Sequence, residues 1–159
     1  MSKQVKTNAM RILDRLGIAY EHAEYEADEF TDACETADRL GLDHEQVFKT
    51  LVTVGNDREH YVFVIPIDET LDLKKCARSV GVKSVQMIPQ KELFPLTGYV
   101  RGGCTAIGMK KTFATRLDES AMLFEKIYVS AGRIGCQIEL RPDDYLRAAN
   151  AVYADLTER

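Results

Sequence analysis

The chain has 159 residues, a formal net charge of −4 and 45% hydrophobic residues, so we expect residues 1–159 to form a single globular domain. No apolar run approaches the roughly 20 residues of a membrane span, and the N-terminus lacks the apolar stretch of a signal peptide. We therefore expect a cytoplasmic protein with no membrane partner. An acidic chain is also unsuited to holding long nucleic acids by charge alone, because phosphate contacts require clustered Lys and Arg.

Capping residues, helix-ending glycines and apolar periodicity predict the secondary structure. In chain order the predicted elements are helix 9–16, strand 18–25, helix 32–40, a helical turn at 43–46, strands 48–54 and 61–67, helix 73–80, strand 82–88, a short helix at 91–94, strands 99–100, 115–117, 127–129 and 136–140, and helix 142–149. Strand 61–67 is apolar on both faces, which is typical of a covered central strand, and Pro66 indicates a strand end or an edge. Hairpins mixed with helical crossovers predict a mixed α/β fold. We expect one curled, partly closed mixed sheet or barrel with helices packed around it.

The histidines and cysteines show no spacing typical of a metal site. We therefore expect no metal and no cofactor. The cysteines are Cys34, Cys76, Cys104 and Cys136, and in a reducing compartment most should be small buried side chains. Cys104 differs because it lies in a glycine-rich segment, which leaves open a catalytic thiol there.

Lys49 is the first candidate for chemistry. In an extended strand Phe48, Thr50 and Val52 share one face while Lys49 and Leu51 share the other. Apolar flanks on both faces favour a pocket lysine whose ammonium meets a substrate oxygen or phosphate. A lysine that snorkels from a strand end is the alternative.

The segment 98–111, GYVRGGCTAIGMKK, is the second candidate. Its glycines allow close backbone approach to a ligand, and Arg101, Lys110 and Lys111 favour an anionic partner. The spacing matches neither a P-loop nor a dinucleotide fingerprint, and an ordinary irregular turn is the alternative. Downstream, the glycines after Ser130 predict a tight hairpin, and Ser130 lacks the G-x-S-x-G context of a hydrolase nucleophile.

Five segments taken together resemble a known family. VFKTLV, LDLKKCARSVGV, PLTGYVRGGCTAIGMKK, ATRLDESA and YVSAGRIGCQIEL, in this order, resemble the YbaK family of freestanding aminoacyl-tRNA deacylases, which is related to the editing domain of bacterial prolyl-tRNA synthetase. KTNAMRILDRLGIAYE also fits, so the resemblance runs from about Lys6 to Ala149. It implies a trans-editing enzyme that removes cysteine from Cys-tRNA(Pro), with Cys-tRNA(Cys) left open as a further substrate. The implied partners are the aminoacylated acceptor end of the tRNA and prolyl-tRNA synthetase.

The resemblance also implies a site. The lysine of the VFKT motif, here Lys49, is the indispensable residue of the family; it orients the substrate, whose own thiol attacks the ester. The implied substrate-binding residues are Tyr20, Phe30, Thr50, Gly102, Ser130, Gly132 and Gln137. We add Gly103 as a substrate-binding candidate, because we expect the N–H groups of Gly102 and Gly103 to serve the developing oxyanion. Arg101, Lys110 and Lys111 are expected to form a tRNA-contacting rim.

Two positions depart from the family pattern. Ala106 stands where relatives commonly have proline, and Gln137 stands where some have an acid. The altered loop leaves open a deacylase for another small amino acid, such as Ala-tRNA(Pro). A catalytically idle protein that binds tRNA or a synthetase is the third alternative.

Overall fold

A computed structural model describes residues 6–28 and 31–158. Its α-helices are α1 (Asn8–Leu16), α2 (Ala33–Leu40), α3 (Leu73–Val80), α4 (Leu93–Thr97) and α5 (Pro142–Ala149). Side-chain oxygens cap three of them, because Thr7, Asp32 and Asp72 accept hydrogen bonds from backbone N–H groups of the first turn. The same helices end at glycines with positive φ, as the sequence predicts. Short 3-10 helices are His44–Gln46, Gln90–Glu92 and Glu119–Leu123.

The strands form two sheets. The strands are β1 (Glu21–Glu24), β2 (Phe48–Gly55), β3 (His60–Pro66), β4 (Val85–Met87), β5 (Ala114–Asp118), β6 (Ile127–Ser130), β7 (Cys136–Leu140) and β8 (Ala151–Ala154). A five-stranded mixed sheet has the order β4-β2-β3-β5-β8, and a three-stranded antiparallel sheet has the order β1-β7-β6. In the larger sheet β5 runs parallel to both β3 and β8.

The mixed α/β fold is confirmed, but the expectation of one curled, partly closed sheet is not supported. In the described part of the chain β4 and β8 stand at opposite edges of the larger sheet and do not pair with each other. A parallel bridge between Val47 and Tyr128 links the two sheets. Because strand patterns carry no information about which distant strands pair, two linked sheets and one curled sheet give the same local sequence signal.

The β3 strand is covered on both faces. Val62 and Val64 belong to the main core, which also receives apolar residues of the smaller sheet, α1 and α5. Phe63 and Ile65 point to a second core that α3 covers with Cys76 and other residues. Pro66 is the last residue of β3, and the pairing of β3 with β5 already ends at Val64. Proline has no backbone N–H, but at this position its absence removes no hydrogen bond between β3 and β5.

Some predicted elements differ from the observed ones. The prediction of a strand at 99–100 is wrong. The segment is irregular, and the Tyr99 N–H donates to Thr97 Oγ1 at 3.0 Å. The strands predicted at 18–25 and 82–88 shrink to β1 and β4, and β8 was not predicted. In the part of the chain that the structure describes, no helix has the length and apolar content to cross a bilayer.

Candidate active site

A small cavity lies where the start of β2, the N-terminal part of α2, the β6–β7 hairpin and the glycine-rich loop meet. Its volume is about 120 Å³, comparable to about four water molecules at about 30 Å³ each. Five residues predicted from the sequence line this cavity: Lys49, Thr50, Gly102, Ser130 and Gln137. The fold therefore brings together residues up to 88 positions apart in the chain, from Lys49 to Gln137.

Lys49 is held at one wall of the cavity. It is half-buried on β2 opposite Ile65, and its Nζ donates to the Ile67 carbonyl at 3.2 Å. That carbonyl is fixed because Ile67 N–H donates to Val47 O at 2.9 Å. None of the salt bridges among residues 6–28 and 31–158 involves Lys49. The ammonium group is therefore placed to meet an anionic or carbonyl oxygen from a ligand.

The hairpin supplies a polar pair to the same cavity. Ser130 on β6 lies directly across from Gln137 on β7. Because strand residues alternate, both face away from Val129 and Ile138, which lie in the main core. Ser130 Oγ accepts a hydrogen bond from Gly132 N–H at 3.2 Å, which fixes its rotamer.

Gln137 is only 8% exposed, and its Oε1 is buried without a hydrogen-bond partner in the described part of the protein. Burial raises the pKa of the Tyr25 hydroxyl, and a hydrogen bond from the Gln137 side chain opposes that rise. The Gln137 amide oxygen is therefore available to another donor. Such an acceptor inside a cavity costs free energy until a donor reaches it.

The two neighbouring glycines of the loop have different roles. Gly102 lines the cavity at a φ of +86°, a conformation that favours glycine. A Cβ at Gly103 would lie 2.8 Å from the backbone of Arg133 and Ile134, so this position is glycine for packing against the hairpin. The Gly103 N–H donates to Val100 O at 3.0 Å. Gly103 is therefore not a free oxyanion donor, and the prediction for it is corrected.

Cys104 lines the cavity but is poorly suited to nucleophilic catalysis. Burial raises the pKa of its thiol to about 12. A thiol with that pKa is protonated near neutral pH, whereas catalytic cysteines have lowered pKa values. The geometry therefore disfavours the catalytic-thiol alternative.

Two other predicted residues, Tyr20 and Gly132, do not line this cavity in the described structure. Tyr20 packs against the main core, and burial together with Asp14 raises the pKa of its hydroxyl. Gly132 has a φ of +103°, and a Cβ there would lie 3.1 Å from the Tyr99 ring. It supports the cavity by positioning Ser130. Phe30 lies outside the described residues.

Of the three residues predicted to form a cationic rim, Arg101 lies next to the cavity. Arg101 lines an adjoining cleft that shares Thr50, Gly102 and Cys104 with the cavity, and its guanidinium donates to Gln90 Oε1 at 3.3 Å. The Lys110 ammonium lies 5.3 Å from the centroid of the Phe94 ring, a cation–π contact. Lys111 is exposed.

Sequence patterns missed several cavity residues. Tyr25, Asp28, Thr31 and Ile134 also line it. Asp28 and Thr31 form a turn in which Asp28 N–H donates to Thr31 Oγ1 at 3.0 Å. The D-x-x-T spacing signals such a turn. Its position beside Lys49 depends on tertiary packing and has no local signature.

A cation and hydrogen-bonding groups fixed around a small cavity are suited to a class of protein that positions a small polar substrate. Among the described residues, no group of three or more His, Cys, Asp or Glu side chains is placed to hold a metal ion. Residues 28–148 match the model of the aminoacyl-tRNA editing domain family. The chain belongs to this family.

The chain is similar to known proteins over nearly its whole length. A protein of Enterococcus faecalis named "Putative Cys-tRNA(Pro)/Cys-tRNA(Cys) deacylase EbsC" is 45% identical over 157 residues, which cover 98% of this chain and 96% of that protein. A solved structure described as "a putative trans-editing enzyme for prolyl tRNA synthetase" is 27% identical, with a TM-score of 0.82 over 98% of this chain and 100% of that one. Another, described as "hypothetical protein APE2540", is 26% identical, with a TM-score of 0.84 over 93% of this chain and 97% of that one.

Proposed function

We propose that this protein is a trans-acting deacylase that removes cysteine from Cys-tRNA(Pro), with Cys-tRNA(Cys) as a second substrate. The observation that carries the proposal is the 45% identity to the Enterococcus faecalis protein over nearly the whole chain. The small cavity with Lys49 at its wall supports it, because an editing site must admit a small amino acid. Cysteine and proline are similar in size, so one synthetic site separates them poorly and a second site is needed to remove errors.

In the proposed reaction the substrate supplies its own nucleophile. The cysteine sulfur bonds to the ester carbonyl carbon, and the bond from that carbon to the ribose oxygen breaks. The thiol proton passes to the released ribose oxygen, which becomes a hydroxyl group. Water then opens the cyclic thiolactone to cysteine. Correct positioning gives such intramolecular attack a very large effective concentration.

Two groups of the cavity have roles in this scheme. Lys49 positions the 3′ end of the tRNA through a phosphate or ribose oxygen. The Gly102 N–H is the remaining candidate donor to the developing oxyanion, because the Gly103 N–H is bonded to Val100. Cys104 has no chemical role in the scheme, in keeping with its raised pKa.

The same proposal covers the partners and the place of action. The chain acts as a single editing domain on the acceptor end of the tRNA, and Arg101, Lys110 and Lys111 contact the nucleic acid. Prolyl-tRNA synthetase is the proposed protein partner, supported by the description of the solved relative. Since its substrates are made and used during translation, we place the protein in the cytoplasm.

A deacylation assay tests the proposal against its alternatives. Purified protein is mixed separately with Cys-, Ala- and Pro-charged tRNA(Pro), and loss of the ester is followed. Hydrolysis of the Cys ester alone supports the proposal. Activity on the Ala ester alone selects the alternative suggested by Ala106, and no activity on any ester selects a non-catalytic binder. Ser-tRNA(Pro), which has a hydroxyl in place of the thiol, tests the mechanism, because undiminished hydrolysis would exclude thiol attack.

A further inference from the structure

The proposed mechanism gives no role to the amide oxygen of Gln137, a buried polar atom of the cavity. Gln137 is more than nine-tenths buried, lines the cavity with Ser130 and Tyr25, and has an Oε1 without a hydrogen-bond partner in the described structure. Its strand fixes it in place, because β7 pairs with β1 on one side and β6 on the other. A buried acceptor held so firmly is suited to a ligand donor that arrives at a defined point.

The charge of the substrate's α-ammonium group makes it the best donor for Gln137 Oε1. An aminoacyl ester carries one cationic group, its α-ammonium, with three N–H donors, whereas its thiol is a weak donor. An ammonium that enters a partly closed cavity loses water and needs acceptors in return. Ser130 lies beside Gln137 across the hairpin, and its hydroxyl keeps a lone pair after accepting from Gly132. Asp28 adds a carboxylate to the same cavity. Lys49 lines the same cavity, and its ammonium would repel a second ammonium brought close to it.

We propose that Gln137 Oε1 receives the α-ammonium group of the aminoacyl ester, so that the cavity selects esters with a free α-amino group. This inference rests on the proposed function and deepens it. An N-acylated ester, such as peptidyl-tRNA, has lost the charge and brings bulk into a cavity of about 120 Å³. The enzyme would therefore spare growing peptides while it hydrolyses free aminoacyl esters.

The first experiment compares substrates that differ only at the α-amino group. These are Cys-tRNA(Pro), 3-mercaptopropionyl-tRNA(Pro), which keeps the thiol and lacks the amine, and N-acetyl-Cys-tRNA(Pro). The variants are Gln137→Met, which keeps the length without an acceptor, and Gln137→Glu, which keeps an acceptor. Gln86→Met on the exposed edge strand β4 is the matched control.

The expected result is a loss of kcat/KM only for the substrate that carries the α-amino group. Gln137→Met should lower kcat/KM for Cys-tRNA(Pro) about 10- to 100-fold, the range of a hydrogen bond to a charged group. Its rate on 3-mercaptopropionyl-tRNA(Pro) should stay within about twofold of wild type. Gln137→Glu should retain the preference for the amine, and Gln86→Met should match wild type on every substrate. Equal losses on both substrates in Gln137→Met would overturn the inference, because they would indicate a purely structural role.

A binding measurement separates this inference from the proposed function. Calorimetry with 3′-cysteinylamino-3′-deoxyadenosine, whose amide resists hydrolysis, and with its counterpart lacking the α-amine requires no catalysis. Wild type should bind the amine-bearing analogue about tenfold or more tightly, and Gln137→Met should bind the two equally. That pattern without any deacylation would overturn the proposed function and support the role of Gln137. Equal binding by wild type would overturn the role of Gln137 even where Cys-tRNA(Pro) is hydrolysed.

Discussion

Replacing Lys49 with methionine removes the ammonium group while it keeps an unbranched side chain of similar length. In the free protein the change removes one hydrogen bond, from Nζ to the Ile67 carbonyl at 3.2 Å. That loss should cost about 1 kcal/mol of unfolding free energy, which corresponds to a Tm lower by about 2–4 °C in a protein of this size. The variant should therefore fold and can be assayed.

The effect on activity should be much larger. A charge-assisted hydrogen bond to the substrate is worth about 1.5–3 kcal/mol, so kcat/KM for Cys-tRNA(Pro) should fall about 10- to 150-fold at 1.4 kcal/mol per factor of ten. If Lys49 meets a phosphate of the single-stranded acceptor end, the slope of log Kd against log salt should also decrease by about 0.7. Lys83→Met, at an exposed lysine near β4, serves as the control and should change neither quantity.

Two results would refute this reasoning. Activity of Lys49→Met within about twofold of wild type would remove Lys49 from the site. A large loss of activity together with a Tm drop of more than about 10 °C would indicate that Lys49 stabilises the fold and does not position the substrate.

Three further predictions follow from the described contacts. Cys104→Ala should keep deacylation within about threefold of wild type, because a thiol with a pKa of about 12 is not the nucleophile; a hundredfold loss with unchanged Tm would contradict this. Asp118→Ala should lower the unfolding free energy in urea by about 3 kcal/mol, since this buried carboxylate accepts from Leu156 N–H at 3.0 Å, and Asp118→Asn should lose clearly less. Replacing both Lys110 and Lys111 with alanine should reduce the salt dependence of tRNA binding; an unchanged slope would exclude them from the rim.

Local chemistry made the helices predictable. The caps at Thr7, Asp32 and Asp72 and the glycines that end the same helices act within a few residues, so the sequence contains their full signal. The β6–β7 hairpin was predictable for the same reason. The two sheets were not, because the parallel pairing of β5 with β3 and β8 depends on segments far apart in the chain. The β8 strand, Ala151–Ala154, is only four residues long, so the β-propensity of Val152 and Tyr153 gives a short local signal.

Some residues of the candidate site were also predictable from the sequence, and others were not. The apolar flanks of Lys49 and the glycines near Gly102 were visible as patterns, and the family resemblance added Ser130 and Gln137. Patterns could not separate Gly102, which lines the cavity, from Gly103, which packs against the hairpin. The contacts of a residue with distant backbone decide between those roles, and those contacts exist only in the folded protein.

The strand that carries Lys49 is tied to both sheets, through its pairing with β3 and through the neighbouring bridge from Val47 to Tyr128. Amide protons along this strand should exchange slowly with solvent, since they open only with much of the fold. A scaffold of this stiffness cannot reshape itself around a larger amino acid. Changing the substrate of this protein by engineering should therefore succeed through the loops at 101–106 and 131–135, and fail through β2.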